Sequence, residues 1–281
     1  MSEPTPYSAA DGLVRVYPAA EPTGTGLVWM HGGGFAYGDL DMPEADAVAR
    51  GLAARGTTVV SVDYRLSPIP PEWDGADAAD DDRSANRFPA ASDDVLRAWR
   101  WTGDNADRLG LSRLAIGGAS AGANLAAGAT LRLLGSDEPA PALVVLAYPT
   151  LLAVQPAPGL ALRAALDAHP EHDRFGPDVV RAMYENYLGG PVVGAPIGAV
   201  PGLANVGELD EFPPTFIVTS EIDELSVSAE VFAATLRTAG RRVDLVVEPG
   251  TDHGHLNRPE HPGFAASMAR IVQRFADLAA S

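Results

Sequence analysis

His31-Gly32-Gly33-Gly34 and Gly118-Ala119-Ser120-Ala121-Gly122 decide the reading of this chain, because each stands at the end of a run that reads as a buried strand. In the second stretch, small residues on both sides of Ser120 permit a tight strand-to-helix turn. The hydroxyl then sits at its tip and the Ala121 N–H opens a helix. In the first stretch, glycines without Cβ let backbone N–H groups approach an oxygen from the other side. Together they predict a serine nucleophile facing an oxyanion hole.

Working outward, strand and helix patterns alternate. Leu13 to Tyr17 and Gly26 to His31 read as strands, an amphipathic stretch runs from about Pro43 to Arg55, and Thr58 to Asp63 is a β-branched run. Ser92, followed by Asp93 and Asp94, reads as the N-cap of a helix reaching about Asn105. Leu114 to Gly117 delivers Ser120, a helix covers Ala121 to Leu134, and Ala142 to Tyr148 reads as a buried strand. Phe216 to Ser220, a helix from about Val227 to Ala239, Val243 to Glu248 and a helix from about Phe264 to Ala279 complete the series. Such alternation predicts an α/β fold, with a mostly parallel central sheet and helices on both faces.

Two segments break the rhythm. Residues 69–88 carry Glu72, Asp74, Asp77, Asp80, Asp81 and Asp82 with no usable apolar period, and read as an acidic, solvated loop. Residues from about 151 to 212 hold one helical pattern, Val179 to Leu188, among Pro- and Gly-rich stretches. An insertion there lies above the strand ends, where a small cap would sit. At 281 residues the chain reads as one domain, 1–281, bearing these two embellishments.

Composition removes whole classes of chemistry. A net charge of −17 disfavours nucleic acid and anionic membrane surfaces as partners. With no Cys, disulfides, thiolate metal sites and cysteine nucleophiles are excluded, and with no Lys so are Schiff bases and a Ser-Lys dyad. The polar stretch Met1 to Asp11 lacks a basic region leading into an apolar core, so the expectation is a cytoplasmic protein without a secretory signal. The most apolar stretch, Ala142 to Val154, is too short to insert in a membrane.

The ordered set His31-Gly-Gly-Gly-Phe35, Asp63-Tyr-Arg-Leu-Ser-Pro68, Phe88-Pro-Ala-Ala91, Gly118-Ala-Ser-Ala-Gly122 with Asn124-Leu125, Glu221-Ile-Asp-Glu-Leu225 and His253-Gly254 resembles the hormone-sensitive lipase-like esterases of the α/β-hydrolase fold, from about residue 24 onward. Ser120, Asp223 and His253 follow strands in the chain order that this fold uses for nucleophile, acid and base. Asp223 would hold the imidazole tautomer and His253 would carry the proton. Gly33, Gly34 and Ala121 would donate N–H groups to the oxyanion. His255 stands two residues from His253 and could be read as the base or, with it, as a metal ligand, and the family's His-Gly position decides for His253. No cofactor and no metal is implied.

The remaining candidates have plainer readings. His31 is expected to bond loop backbone, His169, His172 and His261 to lie on the surface, Glu221 and Glu224 to be solvated loop charges, and Tyr64 and Arg65 to pack at a strand end. The chain departs from the family pattern at Ala119, Ala123, Glu224, Ser226 and Val227, and its N-terminal arm is short, which leaves the pocket more open or covered by a second chain in a homodimer. The resemblance implies a serine hydrolase of short-chain acyl esters working through an acyl-enzyme on Ser120. The alternatives are an amidase of formamidase type and a non-catalytic small-molecule-binding homologue.

Overall fold

The computed structural model describes residues 4–70 and 83–280, so the acidic run at 71–82 lies outside the described residues. Among the described residues eight strands occur in chain order: β1 (Tyr7–Ala9), β2 (Val14–Tyr17), β3 (Thr25–Met30), β4 (Thr57–Val62), β5 (Arg113–Ala119), β6 (Val144–Ala147), β7 (Thr215–Ile222) and β8 (Val243–Asp252). They form one sheet in the order β1-β2-β4-β3-β5-β6-β7-β8. β1 and β2 are antiparallel to their neighbours, and every other pairing is parallel. The mostly parallel sheet agrees with the alternation in the sequence. β1, three residues long with an exposed start, carries no apolar signal of its own and was not expected.

Side chains alternate across the strands, and this divides the interior into two cores. Leu27, Trp29, Val59, Val145, Phe216 and Val218 point to one face. They are covered by α1 (Pro43–Ala53), through Val48 and Leu52, and by α8 (Pro262–Ala279), through Met268, Ile271 and Phe275. Val28, Met30, Val60, Ile116, Leu146 and Ile217 point to the other. There α2 (Ala90–Asp104), α4 (Ala121–Leu134) and α7 (Ser226–Thr238) pack. Each fully buried Val, Leu, Ile, Phe or Met side chain contributes about 1.5–3 kcal/mol relative to exposure, so both faces need their helices. A one-turn helix, α3 (Ala106–Leu109), leads into β5.

α2 starts earlier than its sequence signal suggested. Ser92 lies inside the helix, buried, and Pro89 occupies the cap position. The strong helix formers Ala90 and Ala91 extend the helix back past Ser92, whose hydroxyl instead accepts a hydrogen bond from Arg132 Nη1 at 2.7 Å.

Between β6 and β7 lie two helices rather than one, α5 (Leu160–Ala168) and α6 (Pro177–Leu188). α5 escaped the apolar-period reading because it buries only Leu166 and leaves Leu160 93% exposed. α6 is anchored firmly. Tyr187 stacks on Phe35 at 4.0 Å, and the Tyr184 hydroxyl donates to Thr150 O while accepting from Asn124 Nδ2. α6 is therefore tied both to the glycine loop after β3 and to the start of α4.

Candidate active site

Ser120 stands at the junction of β5 and α4 with φ 52° and ψ −115°, a backbone conformation that L-residues rarely adopt. The neighbouring glycines make this turn possible. A Cβ on Gly118 would lie 2.4 Å from the Gly122 carbonyl group, and one on Gly122 would lie 2.3 Å from the carbonyl oxygens of Met30 and His31. Those approaches bring the loop after β3 against the start of α4. Ser120 N donates to Ala147 O at 2.9 Å and fixes the turn to β6.

β7 and β8 end beside this turn. Asp223, just beyond β7, is buried, and its Oδ1 accepts from the Leu225 N–H at 3.0 Å. Its Oδ2 lies 2.7 Å from His253 Nδ1, and His253 Nε2 lies 3.0 Å from Ser120 Oγ. The structure thus brings together all three residues singled out in the sequence. The imidazole is held between two steeply inclined aromatic rings, Phe175 at 4.5 Å and Tyr148 at 5.0 Å between centroids. With the Asp223 carboxylate on Nδ1, that nitrogen carries the proton and Nε2 is left to accept from the serine hydroxyl.

The glycine loop faces this relay from the other side. Gly33 has φ 109° and Gly34 φ 59°, and a Cβ on Gly33 would collide with Tyr37 O at 2.0 Å. Among the described residues, no acceptor lies on the N–H of Gly33, Gly34 or Ala121. Glu44 holds the loop in place. Its buried carboxylate takes the Gly32 N–H on Oε1 at 2.6 Å and the Tyr148 hydroxyl on Oε2 at 2.6 Å, while Trp29 Nε1 donates to its backbone oxygen. Sequence reasoning missed Glu44, since an acid after Pro43 reads as an ordinary first-turn residue of α1.

His31 is buried and bonds loop backbone, its Nδ1 2.7 Å from Gly32 O and its ring stacked on Tyr64 at 4.5 Å. Burial holds its pKa below the ordinary histidine value. Tyr64 is also buried, donating to His31 O at 2.8 Å, and Arg65 forms a two-pronged pair with Asp94. Both are packing groups.

His255 turns away from His253. It lies buried between Ser220 Oγ, 3.0 Å from Nδ1, and Ser267 Oγ, 2.8 Å from Nε2. Desolvation and the neighbouring His253 lower its pKa to about 4. The two imidazoles share no ligand position.

One expectation is overturned. Glu221 is exposed, but Glu224 is buried at 4% exposure. Its Oε2 accepts from the Phe175 N–H at 2.5 Å, so the segment between β6 and β7 covers it. Nothing in the local sequence announces a partner 49 residues away.

A cavity of about 900 Å³ opens over Ser120 and His253, walled by Gly33, Gly34, Phe175 and Met183 and with Arg174, Asp252 and Arg258 at its side. This is the size range of small-molecule sites.

The family profile described as the α/β hydrolase fold matches residues 83–257, the stretch that holds Ser120, Asp223 and His253. The chain belongs to this family, within its hormone-sensitive lipase-like esterases. A second profile, BD-FAE, matches residues 16–134 and so includes the glycine loop. Carboxylesterase NlhH of Mycobacterium tuberculosis is 37% identical over 261 residues, 88% of this chain and 73% of that protein. Ethyl acetate hydrolase of Pseudomonas putida is 32% identical over 254 residues, 85% of this chain and 70% of its own length. Among solved structures, esterase LipW of Mycobacterium marinum superposes with a TM-score of 0.77 at 30% identity, covering 98% of this chain and 80% of LipW. The Pyrobaculum calidifontis esterase gives 0.78 at 29% identity, with 99% of this chain and 85% of that one covered.

Proposed function

We propose that Ser120 is the nucleophile, His253 the base and Asp223 its orienting acid in the hydrolysis of short-chain carboxylic esters, with Gly33, Gly34 and Ala121 forming the oxyanion hole. The chain is an ester-hydrolysing enzyme. The observation that carries the assignment of roles is the continuous relay from Asp223 to His253 to Ser120, at 2.7 and 3.0 Å, beside three N–H groups without acceptors. A free serine hydroxyl is a poor nucleophile and needs such a base.

His253 Nε2 takes the hydroxyl proton as Ser120 Oγ bonds to the ester carbonyl carbon. The oxygen becomes an oxyanion, received by the N–H groups of Gly33, Gly34 and Ala121. The carbon–oxygen bond to the alcohol then breaks, and His253 returns the proton to the departing alkoxide. Water repeats the sequence on the acyl-enzyme, releasing the acid and restoring Ser120. Asp223 stays ionised throughout, fixing the ring and stabilising the imidazolium.

In this reading residues from about 151 to 212 serve as a small cap, since Phe175, Val179 and Met183 from that segment line the cavity. No helix among the described residues is long and apolar enough to cross a membrane. Cytoplasmic residence and a second chain over the pocket belong to the same reading, and light scattering on the purified protein tests the second. Ser120→Ala tests the roles. It should reduce kcat by about 10⁶-fold, the loss seen for a triad nucleophile, with the fold intact by circular dichroism. A fluorophosphonate probe should label Ser120 in the parent and nothing in the variant. Labelling of another serine would overturn the assignment.

A further inference from the structure

The turn that follows α5, His169-Pro170-Glu171-His172, collects three ligand atoms beside Asp252, a residue of the cavity lining. Pro170–His172 forms a 3₁₀ turn in which His172 N donates to His169 O at 2.9 Å, so the three side chains issue from one turn of backbone. Glu171 Oε1 lies 3.5 Å from His169 Nδ1 and 3.5 Å from His172 Nε2, and all three atoms lie within 4.8 Å of one another. A tetrahedral zinc site with bonds of about 2.0–2.1 Å sets neighbouring ligand atoms about 3.3–3.4 Å apart. Two of the three separations nearly meet that geometry. The third closes by a small movement of half-exposed side chains.

A second observation points the same way. The other ring nitrogen of His172, Nδ1, lies 3.2 Å from Asp252 Oδ2, and Asp252 is itself held by Arg258. A ligating histidine that passes its second N–H to a carboxylate is the usual outer arrangement of a metal centre, because it fixes the tautomer and makes the ligating nitrogen more basic. Here Nδ1 is engaged by Asp252 and Nε2 is the nitrogen that faces the Glu171 carboxylate, where a cation can bridge the two. The neighbouring guanidinium groups do not oppose a cation strongly. Arg163 is paired with Asp167 and Asp173, and Arg174 lies 3.9 Å from Asp252.

We propose that His169 Nδ1, Glu171 Oε1 and His172 Nε2 bind a late first-row divalent cation, zinc in particular, with water in the fourth position and Asp252 as the outer carboxylate. Two imidazoles and one carboxylate suit Zn²⁺, Co²⁺ or Ni²⁺ and not the all-oxygen preference of Mg²⁺ or Ca²⁺. The ion orders the turn at 169–172, whose His172 in turn holds Asp252 at the end of β8, and it takes no part in the ester chemistry.

The test uses full-length protein treated with chelator and desalted, titrated with Zn²⁺ by calorimetry and with Co²⁺ by visible absorption. The expected result is binding of about one equivalent, with the absorption of a four- or five-coordinate Co²⁺ centre. Binding should be lost in His169→Ala and His172→Ala, weakened about tenfold or more in Asp252→Asn, and kept in His253→Ala. Mg²⁺ should not compete. Circular dichroism establishes that each variant is folded. Failure to bind Zn²⁺ would overturn the proposal, as would binding that survives in the His169→Ala/His172→Ala double variant but disappears in His253→Ala. Because the readout is metal binding, it is independent of whether the roles proposed for Ser120 and His253 hold.

Discussion

The Glu224 carboxylate accepts the Phe175 N–H at 2.5 Å, so the residue following Asp223 fixes the residue whose ring packs against His253. Glu224 is buried, and its pKa is raised above the ordinary glutamate value, by desolvation first and further by the nearby Asp173 carboxyl. Asp173 moves the other way, drawn down chiefly by Arg163. A carboxyl with a raised pKa in the folded state adds stability below its unfolded value, about 4.3, and loses that contribution as pH climbs through the raised value. The parent-minus-variant difference in thermal stability, with Glu224→Gln as the variant that keeps an acceptor for Phe175 and a donor for Asp173, should fall with rising pH over this window, whatever slope other groups give both proteins. Equal slopes in the two proteins would remove Glu224 from the account.

His255 titrates with the opposite sign. Its pKa, about 4 when folded, lies below the ordinary value of about 6.5, so the unfolded chain binds the proton first. Stability tied to His255 is complete above about pH 6.5 and is lost as pH falls toward 4, by about 3 kcal/mol for a shift of this size. Denaturant unfolding at pH 7 and at pH 4.5 should show that loss in the parent, and a smaller one in His255→Gln.

The same burial separates the two histidines kinetically. His253→Ala should be nearly as damaging to kcat as Ser120→Ala, because nucleophile and base act as a unit. His255→Ala should retain most of kcat per folded molecule while losing about 2–4 kcal/mol of stability, through a buried cavity and two unpartnered serine hydroxyls. The reverse order in kcat would mean that the proton is carried by His255.

The sequence exposed what is local and periodic. Gly26 to His31 could be read as a strand because a short apolar run closed by the glycine loop is visible without its neighbours, and its side chains then fall alternately on the two cores. Ser120 could be found because its backbone needs Gly118 and Gly122 beside it, and that need is written within five residues. Glu224 and Glu44 were not legible. Each is a carboxylate whose role depends on a partner far along the chain, Phe175 for one and Tyr148 for the other. An isolated acid in a sequence reads as solvated because most are. α5 failed for a related reason, since a helix that buries one leucine has almost no apolar stripe to read.

Glu44 yields the last prediction. It makes no hydrogen bond to the three residues of the relay, yet its Oε1 receives the Gly32 N–H and its Oε2 the hydroxyl of Tyr148, whose ring borders His253. Glu44→Ala frees the loop that carries the Gly33 and Gly34 N–H groups, and misplacing one oxyanion donor costs about 10²–10³ in kcat. The transition state, with negative charge developing on oxygen, depends on those donors far more than the neutral ester does. The loss should therefore appear in kcat with KM little changed, and Glu44→Gln, which keeps an acceptor for Gly32, should recover a large part of it. Steady-state kinetics on a neutral short-chain ester, normalised to active sites titrated with fluorophosphonate, separates these outcomes. If Glu44→Ala instead raises KM and leaves kcat intact, the carboxylate shapes the cavity wall and does not position the oxyanion loop.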